Sequence, residues 1–169
     1  IGMSDILWVL GAGDNEMTAI EEILVRHKQN FVRANVAGQR VWADNAYRAD
    51  RPEHEGDVVT VECGWYGDGD DERIIARCDH HRPGDGGFGW PPSLYWEASS
   101  IGQVVYHLAS KAEIDVSVTE DMRMVAAGDH CPGAAYAGEC PGVHVGKFRK
   151  FRIDQKVDYL MSQDASWLI

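Results

Sequence analysis

The sequence predicts an α/β domain, a mainly parallel sheet with helices on both faces. Short apolar runs at 6–10, 58–63 and 73–78 each stop at a polar or glycine-bearing turn, as strands buried on both faces do. Stretches with apolar residues at helical spacing, such as Met17, Ile20, Ile23 and Leu24, lie between and after those runs. Alternation of that kind builds a parallel sheet whose ligands sit beyond the carboxyl ends of the strands. A chain of 169 residues suits one domain, so 3–169 reads as a single unit, with Ile1 and Gly2 ahead of Met3 a remnant.

The first strand, 6–10, ends at Gly11, Ala12, Gly13 and Asp14, a tight turn into a helix over 17–25. Residues 30–36 alternate Phe31, Arg33 and Asn35 against Val32, Ala34 and Val36, giving a second strand packed on one face. Between Gly38 and Gly56 no period persists. Strands at 58–63 and 73–78 follow, and the Gly- and Pro-rich stretch 83–92 is a loop longer than a routine connection. Ser99 or Ser100 caps a helix through Ile101, Val104, Val105 and Leu108, and Thr119 caps another through Met122, Met124 and Val125 into Gly128, Asp129 and His130. The apolar residues Phe148, Phe151, Ile153, Val157, Tyr159 and Leu160 supply one or two closing helices. Lys147, Arg149, Lys150 and Arg152 read as the solvated face of that segment.

Hydrophobic residues at 44% and charged residues at 25% are enough to bury a core and exclude a disordered chain. The formal net charge of -11 argues against general nucleic-acid binding, which draws its affinity from lysine and arginine on phosphates. A small phosphorylated ligand or nucleotide remains admissible where a metal or local arginines reverse the field inside one cleft. Cys63, Cys78, Cys131 and Cys140 form no C-x-x-C pair, which fits reduced thiols in a cytoplasm, with Cys131 and Cys140 inert in the core. Neither an export leader nor an apolar run of about 18 residues is evident, so no membrane association is expected. Homo-oligomerisation is left open.

The parallel-sheet reading gathers Asp14, Glu62, Asp79, His80 and His81 at one rim. Carboxylates with imidazoles suit Mn²⁺ or Mg²⁺, and the lack of paired thiols argues against structural zinc. Asp79 and His80 are the expected metal ligands, with His81 contacting substrate or shuttling a proton and Arg82 steadying phosphate charge. Arg40 and Arg48, interleaved with Trp42, Asn45 and Tyr47, suit a nucleotide, although a solvated loop has the same composition. The Gly11–Gly13 turn lacks both G-x-G-x-x-G and the P-loop lysine, so its function rests on Asp14, whose plainer role is a helix N-cap.

Asp79-His80-His81 after a buried strand resembles the DHH motif of the DHH phosphoesterase superfamily, which includes single-strand exonucleases, oligoribonucleases, cyclic-dinucleotide phosphodiesterases and family II pyrophosphatases. The resemblance covers roughly 5–132 and rests on order. Asp14 follows the first strand, Glu62 a middle strand, Ser99 and Ser100 start the helix after DHH, and Asp129 comes later. It implies that Asp79 and His80 ligate metal, that Asp14 and Glu62 complete or bridge the site, that Asp129 sits with them, and that Ser99 and Ser100 meet substrate. The turn at 11–16 departs from the family pattern in having no histidine, Glu62 replaces the usual aspartate, and the residues after Asp129 are too few for the family's second domain. The resemblance implies a metal-dependent phosphoesterase acting on a small nucleotide or short oligonucleotide through metal-activated water. The departures support the alternative of a catalytically impaired module that binds a nucleotide or serves an assembly.

Overall fold

The computed structural model describes residues 5–165, so the remnant expected at Ile1 and Gly2 lies outside the described residues. In chain order the elements are β1 (Leu7–Leu10), α1 (Asn15–Arg26), β2 (Asn30–Arg33), β3 (Asn35–Val36), β4 (Gln39–Arg40), β5 (Val58–Val61), β6 (Ile74–Cys78), α2 (Tyr95–Ala98), α3 (Ser100–Ala112), α4 (Glu120–His130), α5 (Pro132–Tyr136) and α6 (Val145–Ala165).

The sheet runs β2-β1-β5-β6 with every pair parallel, which establishes the α/β fold. Leu7 stands opposite Asn30 on one side and Val58 on the other, so β1 is central and all four of its residues are buried. Ile6, Trp8, Leu10, Val59 and Val61 enter one core with Met17, Ile20 and Leu24 of α1, Ile101, Val104 and Leu108 of α3, and Met124 of α4. Leu7, Val9 and Val58 face the other way, onto Ala34, Val41, Ala46, Ala49, Cys63 and Trp65. Each fully buried aliphatic side chain contributes ~1.5–3 kcal/mol, so a strand apolar on both faces is driven to the middle.

The two faces are covered unequally. The long helices gather on the first, whereas the second is closed by the chain from 34 to 65, whose contribution includes a 3-10 turn at Ala46–Arg48. The strand predicted over 30–36 is two pieces. Asn30–Arg33 is the exposed sheet edge, and Asn35–Val36 turns back to pair antiparallel with Gln39–Arg40. Ala37 and Gly38 between them both have positive φ, 51 and 84, the turn that suits a two-residue hairpin.

Ser99 is the cap of α3, accepting from Gly102 N, and Thr119 caps α4 by accepting from Met122 N. The closing segment is one helix, α6. Phe148 is buried against Tyr136 and Phe151 is half-buried, but Ile153, Val157, Tyr159 and Leu160 are exposed. No helix among the described residues is long and apolar enough to cross a membrane.

Candidate metal centre

The carboxyl ends of β1, β5 and β6 meet the end of α4 at one rim, and the chain fixes each junction with backbone contacts. Gly11 N donates to Val61 O at 2.8 Å, and a Cβ at Gly11 would overlap the carbonyl of Glu62, so glycine is required there. Glu62 itself adopts φ 52, the left-handed region that costs a residue with a side chain about 1–3 kcal/mol. Its amide donates to Cys78 O, which ties the kink to the strand carrying the DHH turn.

That turn is clamped from α3. Gln103 accepts from Asp79 N through Oε1 and donates through Nε2 to the carbonyls of Asp79 and Ala98. The Asp79 carboxylate is then consumed by its neighbours. Oδ1 accepts from His81 Nδ1 at 2.7 Å and from His80 N, and Oδ2 accepts from the Tyr47 hydroxyl at 2.6 Å. Burial pushes this carboxyl up, but the bonds from His81 and Tyr47 outweigh it and hold Asp79 below its ordinary value. Burial and the bond to Asp79 raise the Tyr47 phenol, so it remains a neutral donor.

His80 is the buried member, its side chain 5% exposed, and its tautomer can be read from a relay. His130 Nε2 lies 3.0 Å from Trp90 O, and a carbonyl only accepts, so Nε2 carries the hydrogen. In neutral His130, Nδ1 is then an acceptor, and His80 Nδ1, 2.9 Å away, is the donor. In the neutral ring this leaves a lone pair on His80 Nε2, which faces Asp129 Oδ2 at 2.9 Å and Glu16 Oε1 at 3.8 Å. All three atoms are buried and none has a hydrogen-bond partner of acceptable geometry.

Glu62, His80, His81 and Asp129 each bring a ligand atom to within 4.8 Å of the others. His81 Nδ1 is 3.7 Å from Glu62 Oε1. Crowding of acids sets the charges. Burial, then Asp14, raises the Glu62 carboxyl to about 8. Burial, then Asp129 and Glu62, raises Glu16 well above the usual carboxylate range. The bond to Asp79 lifts His81 to about 9. In Asp129 the raising effect of burial is outweighed by His80 and Glu16, and its carboxyl is lowered.

A divalent cation fits these residues on two counts. Buried polar atoms that face one another without a partner of good geometry would be satisfied by a cation between them. A mixed carboxylate–imidazole set is chemically able to hold a divalent cation.

The structure brings Asp14, Glu62, Asp79, His80, His81 and Asp129 to one rim, with two differences from the expected roles. Asp79 faces its own turn rather than the ligand cluster, and His81 joins the cluster. Asp14 lines the adjoining cleft while its Oδ1 also accepts from Met17 N, so the helix-cap reading holds as well. Glu16 was not predicted. It lies on the buried side of α1, with Oε2 accepting from Ile101 N.

Arg40 bonds Gly11 O and lies against Gly13, and Arg82 stacks 3.7 Å over the Tyr47 ring. Both border the site. Arg48 is exposed and donates to Asp44 O, away from the cluster. Ser99 and Ser100 are both fully buried, and Ser99 Oγ is engaged within its own helix start. Beside the cluster a cleft of about 270 Å³ is lined by Ala12, Asp14, Ala43, Tyr47, Glu62 and His81. The loop aromatics contribute through backbone, Trp90 offering its carbonyl to His130.

No family model, no curated protein and no solved structure matches the chain.

Proposed function

We propose that this chain is a metal-dependent phosphoesterase that cleaves a small nucleotide or short oligonucleotide, using Mn²⁺ or Mg²⁺ held by Glu62, His80 and Asp129, with Glu16 and Asp14 alongside and His81 kept free for proton transfer. The observation that carries this reading is the convergence of His80 Nε2, Asp129 Oδ2 and Glu16 Oε1, three buried polar atoms without a hydrogen-bond partner of acceptable geometry. The DHH resemblance supports it through the same residues.

When bound, the cation supplies activation of water and neutralisation of phosphoryl oxygens. The water oxygen would bond to phosphorus as the ester P–O bond breaks; the leaving oxygen takes a proton from the site and the proton lost by water replaces it. His81 is the donor in this scheme. Its Nδ1 is anchored on Asp79 and its half-exposed ring lines the cleft, leaving Nε2 to face the ligand. Asp79 holds that ring and Tyr47 holds Asp79. Arg82, packed on Tyr47, and Arg40, beside the Asp14 turn, offer guanidinium groups to the phosphate. The partner is the small ligand itself, since the net charge of -11 opposes long nucleic acids. Four free cysteines accord with a reducing cytoplasm.

The test is a screen of the Mn²⁺-loaded protein against cyclic dinucleotides, dinucleotides, short single strands and pyrophosphate, scoring binding and product. Product formation that disappears in Asp79→Ala and His80→Ala while both variants stay folded supports the proposal. Unchanged turnover in a protein lacking both side chains sinks it. The turn at 11–16 has no histidine, which favours the second reading, a nucleotide-binding module. Binding without product from any substrate selects that reading.

A further inference from the structure

A second cleft borders the same cluster. It holds about 250 Å³ and is lined by Asp14, Asn15, Glu16, Asp129, Arg152 and Gln155, among others. Asp14 lines both this cleft and the one beside Tyr47. Part of its wall comes from α6, a helix whose basic residues the sequence presents as a solvated face beside an apolar stripe. Two of its cations fit that description, since Lys147 pairs with Glu120 and Lys150 with Asp154 at the surface.

Arg152 behaves differently. It is half-buried, its guanidinium donates to Gly128 O at 3.1 Å, and it lies 5.8 Å from the Phe148 ring centre. It forms no ion pair among the described residues, although it lines an acidic cleft. Gly128 makes its position available. A Cβ there would come within 2.6 Å of Arg152 Nη1, so the absence of a side chain at 128 lets the guanidinium lie against α4 one residue before Asp129. Across the cleft, Glu16 is 1% exposed and its Oε1 has no partner.

An arginine held beside a cation-ready cluster, bonded through Nη1 to a single backbone carbonyl, is the arrangement that takes a phosphoryl oxygen. The guanidinium fork matches phosphate geometry, and a nearby cation attracts the same group. Resting on the metal-site reading above, we infer that Arg152 is the phosphoryl-binding residue of this site and that Gly128 sets its position. The substrate's phosphate is gripped between the cluster and α6. Of the α6 cations, Arg152 is the one that lines this cleft.

The experiment measures binding of Mn²⁺ and then of inorganic phosphate, by calorimetry, to the full chain and to Arg152→Ala, Arg152→Lys and Gly128→Ala. Mn²⁺ affinity should stay within about twofold in all variants, which also reports that the cluster is folded. Phosphate affinity of the Mn²⁺-loaded protein should fall roughly tenfold or more in Arg152→Ala and less in Arg152→Lys, which keeps the charge but not the fork. Gly128→Ala, which displaces the guanidinium without removing it, should fall between parent and Arg152→Ala. Equal phosphate affinity in parent and Arg152→Ala, with Mn²⁺ bound in both, overturns the inference and leaves the metal site standing. Failure of the parent to bind Mn²⁺ overturns the metal reading and the inference with it.

Discussion

His80 Nε2 and Asp129 Oδ2 lie 2.9 Å apart, both buried, with no hydrogen-bond geometry between them. The cause lies further out, in the Trp90 carbonyl that fixes His130, which in turn fixes His80. His130→Phe removes that relay. Such outer partners are worth about 10–100-fold in metal affinity. The variant should bind Mn²⁺ correspondingly more weakly, and nitrogen NMR should show that His80 no longer keeps its Nδ1–H form. An unchanged affinity with an unchanged tautomer would show that the relay orients nothing.

The pH dependence of the metal-free protein follows from Glu62 and His81. Folding raises Glu62 from 4.5 to about 8 and His81 from 6.5 to about 9. Both groups therefore hold more protons folded than unfolded, and their stabilising effect is lost as pH rises through the folded values. Thermal denaturation in chelator should give a falling Tm from pH 6 to 9, while Mn²⁺, whose ligands must lose protons, should bind more tightly over the same range. A Tm that rises across that window contradicts the assigned directions.

Glu16 offers a separation of stability from binding. Burial, Asp129 and Glu62 favour its neutral form, which a glutamine amide copies in shape and in donor capacity. Glu16→Gln should leave the metal-free protein as stable as the parent or more so, by about 1 kcal/mol, and should weaken Mn²⁺ binding at least roughly tenfold. Equal loss of both would mark Glu16 as a packing residue.

Tyr47→Phe deletes the hydroxyl that donates to Asp79 but keeps the ring beneath Arg82. Losing a hydrogen bond to a charged acceptor costs about 1.5–3 kcal/mol. Tm should fall by several degrees, and Asp79 should titrate closer to its ordinary value. An unchanged titration would show that His81 alone holds that carboxylate.

The two-sided apolar runs made β1, β5 and β6 legible, because central parallel strands leave no polar face to blur the pattern. The β3–β4 hairpin was hidden, since each strand has two residues and Ala37 stands where a turn signal would have asparagine or glycine. Asp79, His80 and Asp129 could be read from their places after strands and in a helix. Glu16 could not, because an acid in a helix's first turn is ordinary and only the packing of α3, through Ile101 N, buries it. The α6 residues Ile153, Val157, Tyr159 and Leu160 suggested core, but the helix carries them into solvent.

Gly11 and Glu62 have a consequence for selectivity among ions. Their main chains are in contact, so the gap between the Asp14 turn and the Glu62 carboxylate is gauged by backbone atoms and a shared strand pairing. Short of moving the sheet, only rotation of the Glu62 side chain can adjust it. Beyond that reach a larger cation would have to part β1 from β5, so the sheet sets the outer limit of what the rim admits.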